Sequence, residues 1–224
     1  MNIKRFFDKV ANKIDWKFIH PLNAKRRRDK LKSTSFTVIS NNCWAGRLYE
    51  YFNLPKQTPT VGLYFFADEY VKFCKNLKEY LSKELVLIEL TESKHYEDIC
   101  AVGDDKEAIV GQLGDIEVVF LHYKDRQVIL DKWKRRIQRI DWNHIILKFS
   151  YQNNCTDELI REFMSIKEYP KICFCGEKIE GCPDVLIYPR HNGKVPVDET
   201  QNYDRFFNIV KLINSRLEKG EKGE

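Results

Sequence analysis

From residue 36 to residue 217 the chain alternates between short, β-leaning apolar runs and longer amphipathic stretches at helical spacing. The apolar runs fall at 36–39, 58–66, 85–90, 116–123, 145–150, 172–174 and 185–188. Helical patterns lie between or after them, at 47–52, 66–85, 124–140, 156–166 and 203–217. The clearest of these, 66–85, places Tyr70, Phe73, Cys74, Leu77, Tyr80 and Leu81 on one face. Within 116–123, Ile116, Val118, Phe120 and His122 share a face at period two. Such alternation predicts an α/β layered fold, a mixed or largely parallel sheet flanked by helices, in a single domain. Ligands of such sheets bind outside the carboxyl ends of the strands, so the residues just after strands are where chemistry is sought.

Composition narrows the class. Of 224 residues, 43% belong to the AVILMFWYC set, and the 10 glycines bring the apolar share into the globular range of about 45–50%. Disordered and collagen-like chains are thereby excluded. The longest apolar runs, such as 61–67, fall far short of the roughly 18 residues of a membrane-spanning helix. The first residues are charged throughout and lack the apolar core of a secretory signal. Seven cysteines, an odd number, read as reduced thiols in a reducing compartment, and the expected location is cytoplasmic.

Charge is concentrated at the start. Residues 1–35 carry 11 Lys/Arg against 3 Asp, which leaves 27 basic and 30 acidic side chains elsewhere. Ile3, Phe6, Phe7, Val10, Ile14 and Phe18 form an apolar stripe over 2–19, and His20-Pro21 ends the pattern ahead of the basic run 25–32. The organisation expected is a basic amphipathic N-terminal helix and linker (1–32), an α/β globular domain (33–217) and a charged tail (218–224). The helix either lies on an anionic membrane surface, placing the protein peripherally at the inner face, or docks on the body. No nucleic-acid partner is expected, because the body is not basic and no recognised motif is present.

The most informative stretch is the turn Ser40-Asn41-Asn42-Cys43-Trp44-Ala45-Gly46 after the first strand. Cys43 falls near a helix N-terminus, where the helix dipole favours a thiolate nucleophile. Asn41 and Asn42 are candidate amide donors to an oxyanion. The alternative is a capped turn with a packed cysteine and Trp44 as an anchor. A second turn, Ser150 to Thr156, echoes the first with Asn153-Asn154-Cys155. His122, at the end of its strand beside Tyr123 and Lys124, is the best general-base candidate. Asp115 begins that strand, too far away to orient it, so an orienting carboxylate must come from elsewhere, with Glu89 or Asp125 as candidates. Cys173, Cys175, Cys182 and His191 are a weak candidate zinc set of non-standard spacing. A glycine-rich phosphate loop and a metal-binding aspartate pair are both absent from the sequence.

The run Phe36 to Gly46 resembles the signature of a bacterial family of domains of unknown function, whose members are commonly labelled exopolysaccharide or capsular polysaccharide biosynthesis proteins. Further blocks fit the same pattern: Leu54-Pro55 with Thr58 to Leu63, Gly114 to Lys124, and Trp133 to Arg136 with Ile140, leading to Lys148-Phe149-Ser150 and Cys155-Thr156. The resemblance covers about residues 25 to 175, and Ala45 departs from the family's more usual glycine. It implies a setting, cell-surface glycan assembly, and no particular reaction. The expectation is an acyltransferase acting on a sugar or lipid-linked saccharide. Acyl-coenzyme A is the candidate donor, and no permanently bound cofactor is expected. Cys43 and His122 are the catalytic candidates. Ser40, Asn41, Asn42, Trp44, Thr60, Tyr123, Lys124 and Ser150 are the binding candidates. The alternatives are a glycosyltransferase-like enzyme and a non-catalytic glycan-assembly partner.

Overall fold

The computed structural model describes residues 18–101 and 108–221. Most of the expected N-terminal helix, residues 1–17, lies outside the described residues, as do residues 222–224 of the tail. In chain order, α1 (His20–Arg28) leads to β1 (Thr37–Ser40), α2 (Trp44–Phe52), β2 (Leu63–Tyr64), α3 (Ala67–Lys75) and α4 (Leu77–Ser82). Next come β3 (Val86–Ile88), a 3-10 turn (Leu90–Glu92), α5 (Tyr96–Ala101), β4 (Ile109–Leu113), β5 (Ile116–Phe120) and α6 (Arg126–Ile137). The chain continues through β6 (Ile145–Ser150), α7 (Asp157–Ser165), β7 (Lys171–Cys175) and β8 (Leu186–Ile187). It closes with a small hairpin, β9 (His191–Asn192) and β10 (Val195–Pro196), and with α8 (Glu199–Phe206) and α9 (Ile209–Glu221).

The α/β expectation holds, with two sheets of opposite character. One has four parallel strands in the order β1-β6-β7-β8, and the other is antiparallel in the order β2-β5-β4-β3. Strand β6 explains the layering. Its Ile145, Leu147 and Phe149 enter a core shared with Leu63, Val118 and Phe120 of the antiparallel sheet and with Tyr70, Phe73, Trp133 and Phe163 of the helices. On the opposite face, Ile146 joins Val38, Trp44, Phe174, Tyr188, Tyr203 and Ile213, under α2, α8 and α9. A strand buried on both faces normally reads as continuous aliphatic sequence. Here Lys148 interrupts it.

Several boundaries differ from the sequence expectation. Pro21 does not end a helix; it sits in the first turn of α1, where its missing N–H costs nothing. Residues 20–28 are thus a docked helix rather than a linker: Arg27 donates to the Tyr51 carbonyl (3.2 Å) and Arg28 to the Phe52 carbonyl (2.9 Å), capping the end of α2. The stretch 66–85 divides at Asn76, whose φ of −128° and ψ of 42° leave the helical region. Likewise, 203–217 divides at Asn208, whose side chain accepts from the Lys211 N–H (3.0 Å). Strand β4 was not legible, since Gly111 sits at its centre; a Cβ there would lie 2.7 Å from Leu85 Cδ1. All seven cysteines are free thiols. Among the described residues, no helix is long and apolar enough to cross a membrane.

Candidate functional site

Strands β1 and β6 run parallel in register, with Ser40 opposite Lys148, so their exit turns stand side by side at one end of the sheet. Asn41 ties the two together. Its Nδ2 donates to the Ser150 carbonyl (3.2 Å), its Oδ1 accepts from the Ser150 N–H (3.1 Å), and its own carbonyl accepts from the Phe65 N–H (2.9 Å) after β2. Asn153, left-handed at φ 55°, donates its Nδ2 to the Phe65 carbonyl at 3.0 Å. The two echoed Asn-Asn turns are therefore where the two sheets are joined.

Beneath this junction lies a buried polar network that sequence reasoning missed. Lys148 and Glu199 are 0% and 1% exposed, and Lys148 Nζ lies 2.6 Å from Glu199 Oε1. The ammonium's other two protons go to Ser150 Oγ (2.5 Å) and Asn42 Oδ1 (3.2 Å), which completes its donor capacity. Glu199 Oε1 also accepts from Asn42 Nδ2 and Ser150 Oγ, each at 2.5 Å. Lys148 Nζ sits 5.7 Å from the Trp44 ring centre and 5.5 Å from that of Phe174. Burial draws the Lys148 pKa below the ordinary lysine value, against the opposing pull of Glu199. The legible signal was a lone lysine inside the apolar run 145–150; its partner, 51 residues away on α8, left no such mark.

Above the network opens a cleft of about 580 Å³. Asn42, Cys43 and Arg47 form one wall, Gln152, Asn153 and Asn154 the second turn, Thr200 and Gln201 the start of α8, and Tyr64, Phe66, Leu121 and His122 the side toward the antiparallel sheet. Asp98 and Ala101 of α5 complete it. Cys43 and His122 thus line one cleft, yet they come from two sheets, not from one rim of a single sheet. Carboxamides (Asn42, Gln152, Asn153, Asn154, Gln201) and the hydroxyls of Tyr64 and Thr200 supply half of the lining residues, beside apolar surface. Asn154 donates its Nδ2 to Asp98 (3.0 Å), which leaves its Oδ1, like that of Asn153, with no hydrogen bond among the described residues.

The expected residues divide by what holds them. Cys43 precedes α2, but its thiol donates toward the Leu63 carbonyl (Sγ–O 3.8 Å), and burial pushes its pKa up despite Arg47 nearby. This reverses the expected thiolate: a helix terminus contributes about 0.3–1 kcal/mol, and desolvation outweighs it. His122 is exposed at the cleft and carries no side-chain hydrogen bond among the described residues. Asn41 and Asn42 are not available as oxyanion donors, because both Nδ2 groups are bound within the network. Ser40 supports Asn42, and its N–H donates to buried Thr60 Oγ1 (3.1 Å). Trp44 is a fully buried anchor against Tyr203 and Phe174. Tyr123 is buried with its hydroxyl on the Val61 carbonyl (2.7 Å), and Lys124 is exposed outside the cleft lining.

Neither carboxylate proposed to orient His122 does so. Asp125 caps α6 through the N–H groups of Gln127 and Val128, and Glu89 pairs with Arg126 at 3.0 Å. The candidate zinc set does not assemble: Cys173 and Cys175 pack in the core, and His191 is exposed with Nδ1 2.8 Å from the Gly193 carbonyl. Among the described residues, the side chains close enough together to share an ion are Asp68, Glu69 and His95. There the Lys94 ammonium already pairs with Glu69.

These features define a two-sheet α/β domain with an amide-lined cleft over a buried lysine–glutamate pair. The chain belongs to the family described as Domain of unknown function (DUF1919), which it matches over residues 14–216. It is similar to an "Uncharacterized protein" of Haemophilus influenzae, 23% identical over 217 residues that cover 90% of this chain and 98% of that protein.

Proposed function

We propose that the cleft binds a saccharide and that the protein transfers an acyl group to one of its hydroxyls, in the setting of exopolysaccharide or capsule assembly that the sequence resemblance implies. The observation carrying this reading is the lining. Carboxamides and hydroxyls from the two Asn-Asn turns and the start of α8 face aromatic side chains across a cleft whose Arg and Asp side chains are one each, Arg47 and Asp98. Near-neutral walls that set amide acceptors beside apolar and aromatic surface suit a polyhydroxyl ligand. His122 serves as general base. It takes the proton of the attacking sugar hydroxyl as the new C–O bond forms at a thioester carbonyl. It then returns the proton to the departing thiolate as the C–S bond breaks. Acyl-coenzyme A is the donor class. Direct attack is preferred to a Cys43 acyl-enzyme because desolvation raises the pKa of the half-buried thiol and disfavours the thiolate.

The test is acetyl transfer from acetyl-coenzyme A to a panel of capsular oligosaccharides, with saccharide binding measured in parallel. His122→Ala should lower transfer roughly 10²- to 10⁴-fold and leave saccharide binding and melting temperature near wild type. Because His122 has no orienting side-chain partner among the described residues, a non-catalytic glycan-binding role is the second reading. Saccharide binding with no transfer from any acyl donor would establish that role, and absence of both would overturn the saccharide assignment.

A further inference from the structure

A second cleft, of about 660 Å³, lies between α1 and α9 and shares no lining residue with the first. Arg26, Arg27, Lys30, Lys32 and Lys211 line it, against one carboxylate, Glu218, which pairs with Lys32. Arg27 is engaged by His20 and the Tyr51 carbonyl. Arg26, Lys30 and Lys211 are exposed, and their side chains make no ion pair or hydrogen bond among the described residues. The cleft is held open as a fixed shape: Asn214 of α9 accepts from the Lys32 N–H (2.9 Å) and donates to the Lys30 carbonyl (2.9 Å). Concentrated, unneutralised cations on a rigid frame favour a multiply charged anion.

What lies beside the cleft narrows the anion. Phe18, Ile19 and Leu22 are 55%, 44% and 83% exposed, unusual for adjacent large apolar side chains. Ile19, Leu22 and Arg26 follow at i, i+3 and i+7, so this apolar edge runs along α1 into the cleft lip. The inward face of α1, with Ala24 and His20, is buried, and Arg27 and Arg28 clamp the helix to the end of α2. The edge is therefore displayed on a fixed element. We propose that this edge seats the phosphate of an anionic lipid headgroup in the α1–α9 cleft while Ile19 and Leu22 enter the acyl boundary of the bilayer. A soluble phosphate would use the cations and leave the apolar edge without a role, and a nucleic acid would require a longer basic track than this one cleft. The proposal stands independently of the saccharide reading, since its readout is membrane partitioning.

The experiment is co-sedimentation of the full chain with vesicles of phosphatidylcholine, with and without phosphatidylglycerol. Binding is expected only to the phosphatidylglycerol vesicles and should weaken as salt rises. Each cation near such a surface contributes roughly a fivefold factor, so combining Arg26→Gln, Lys30→Gln and Lys211→Gln should lower partitioning about a hundredfold. Leu22→Ser should lower it about tenfold. All four side chains are exposed, so melting temperatures should stay at wild type. Equal binding to neutral vesicles, or undiminished binding by the triple variant, overturns the proposal; the latter would assign membrane binding to residues outside this cleft. Binding of pyrophosphate or of a single-stranded oligonucleotide that the triple variant loses, without vesicle binding by the wild type, also overturns it and reassigns the cleft to that ligand.

Discussion

At the scale of single residues, the turn after β1 was legible in the sequence and the state of its cysteine was not. A strand ending in Ser-Asn-Asn-Cys marks where a chain turns into a helix, but it does not say which way the thiol faces. Cys43 faces the Leu63 carbonyl, and burial raises its pKa. At pH 7 iodoacetamide should therefore modify exposed Cys100 well ahead of Cys43, with Cys43 modification accelerating only above the ordinary thiol range. Peptide mapping by mass spectrometry reads both rates; faster labelling of Cys43 than of Cys100 at pH 7 would show a thiolate and restore the nucleophile. Cys43→Ser should retain transfer and cost no more than about 1 kcal/mol, because the hydroxyl can donate to the same carbonyl.

Among elements, the informative link is between β6 and α8. Glu199 opens α8 and is drawn inward by Lys148, which places the next two residues, Thr200 and Gln201, in the cleft wall. Apolar periodicity continuing across Asn208 hid the division between α8 and α9. The break depends on a side-chain cap, and Asn is equally at home within a turn. The ion pair predicts a strongly non-additive cycle. Lys148→Met or Glu199→Leu alone should destabilise by about 3–5 kcal/mol, since each strands a buried charge. Combined, they should cost much less than the sum, because neither charge remains. Urea unfolding of the four proteins measures this, and simple additivity would mean that the pair does not act as a unit. On the saccharide reading the double variant should still lose affinity, because Asn42 loses two of the partners that orient its amide and keeps only Ser40, Gln152 and the Trp44 N–H.

For the molecule as a whole, the cleft exists because two sheets meet, and the sequence announced the strands of those sheets, β4 excepted, without announcing two sheets. Apolar alternation sets which residues are buried, whereas pairing depends on register. The hairpin turn at Gly114, with φ of 61°, and the packing of Gly111 fix that register for β4 and β5. The antiparallel sheet and the α5 wall of the cleft are tied to α3 through one carboxylate. Glu69, 2% exposed, accepts from the Glu117 N–H of β5 (3.2 Å), contacts His95 Nε2 (3.1 Å) and pairs with Lys94. Burial alone would raise its pKa, but His95, Lys94 and the Glu117 N–H outweigh that and hold it below the ordinary 4.5. For a carboxyl depressed in the folded state, the unfolded chain takes up the proton first. The stabilisation is therefore complete above the unfolded value and disappears as pH falls through the folded one. Glu69→Gln should accordingly lose about 2 kcal/mol at pH 7, or roughly 4–8 °C in melting temperature for a chain of this size. The gap to wild type should close progressively as the pH is lowered below about 5. Paired thermal melts across that range decide the matter: a gap that persists unchanged at the acid end would mean that Glu69 acts through its shape and neutral hydrogen bonds, and not through its charge.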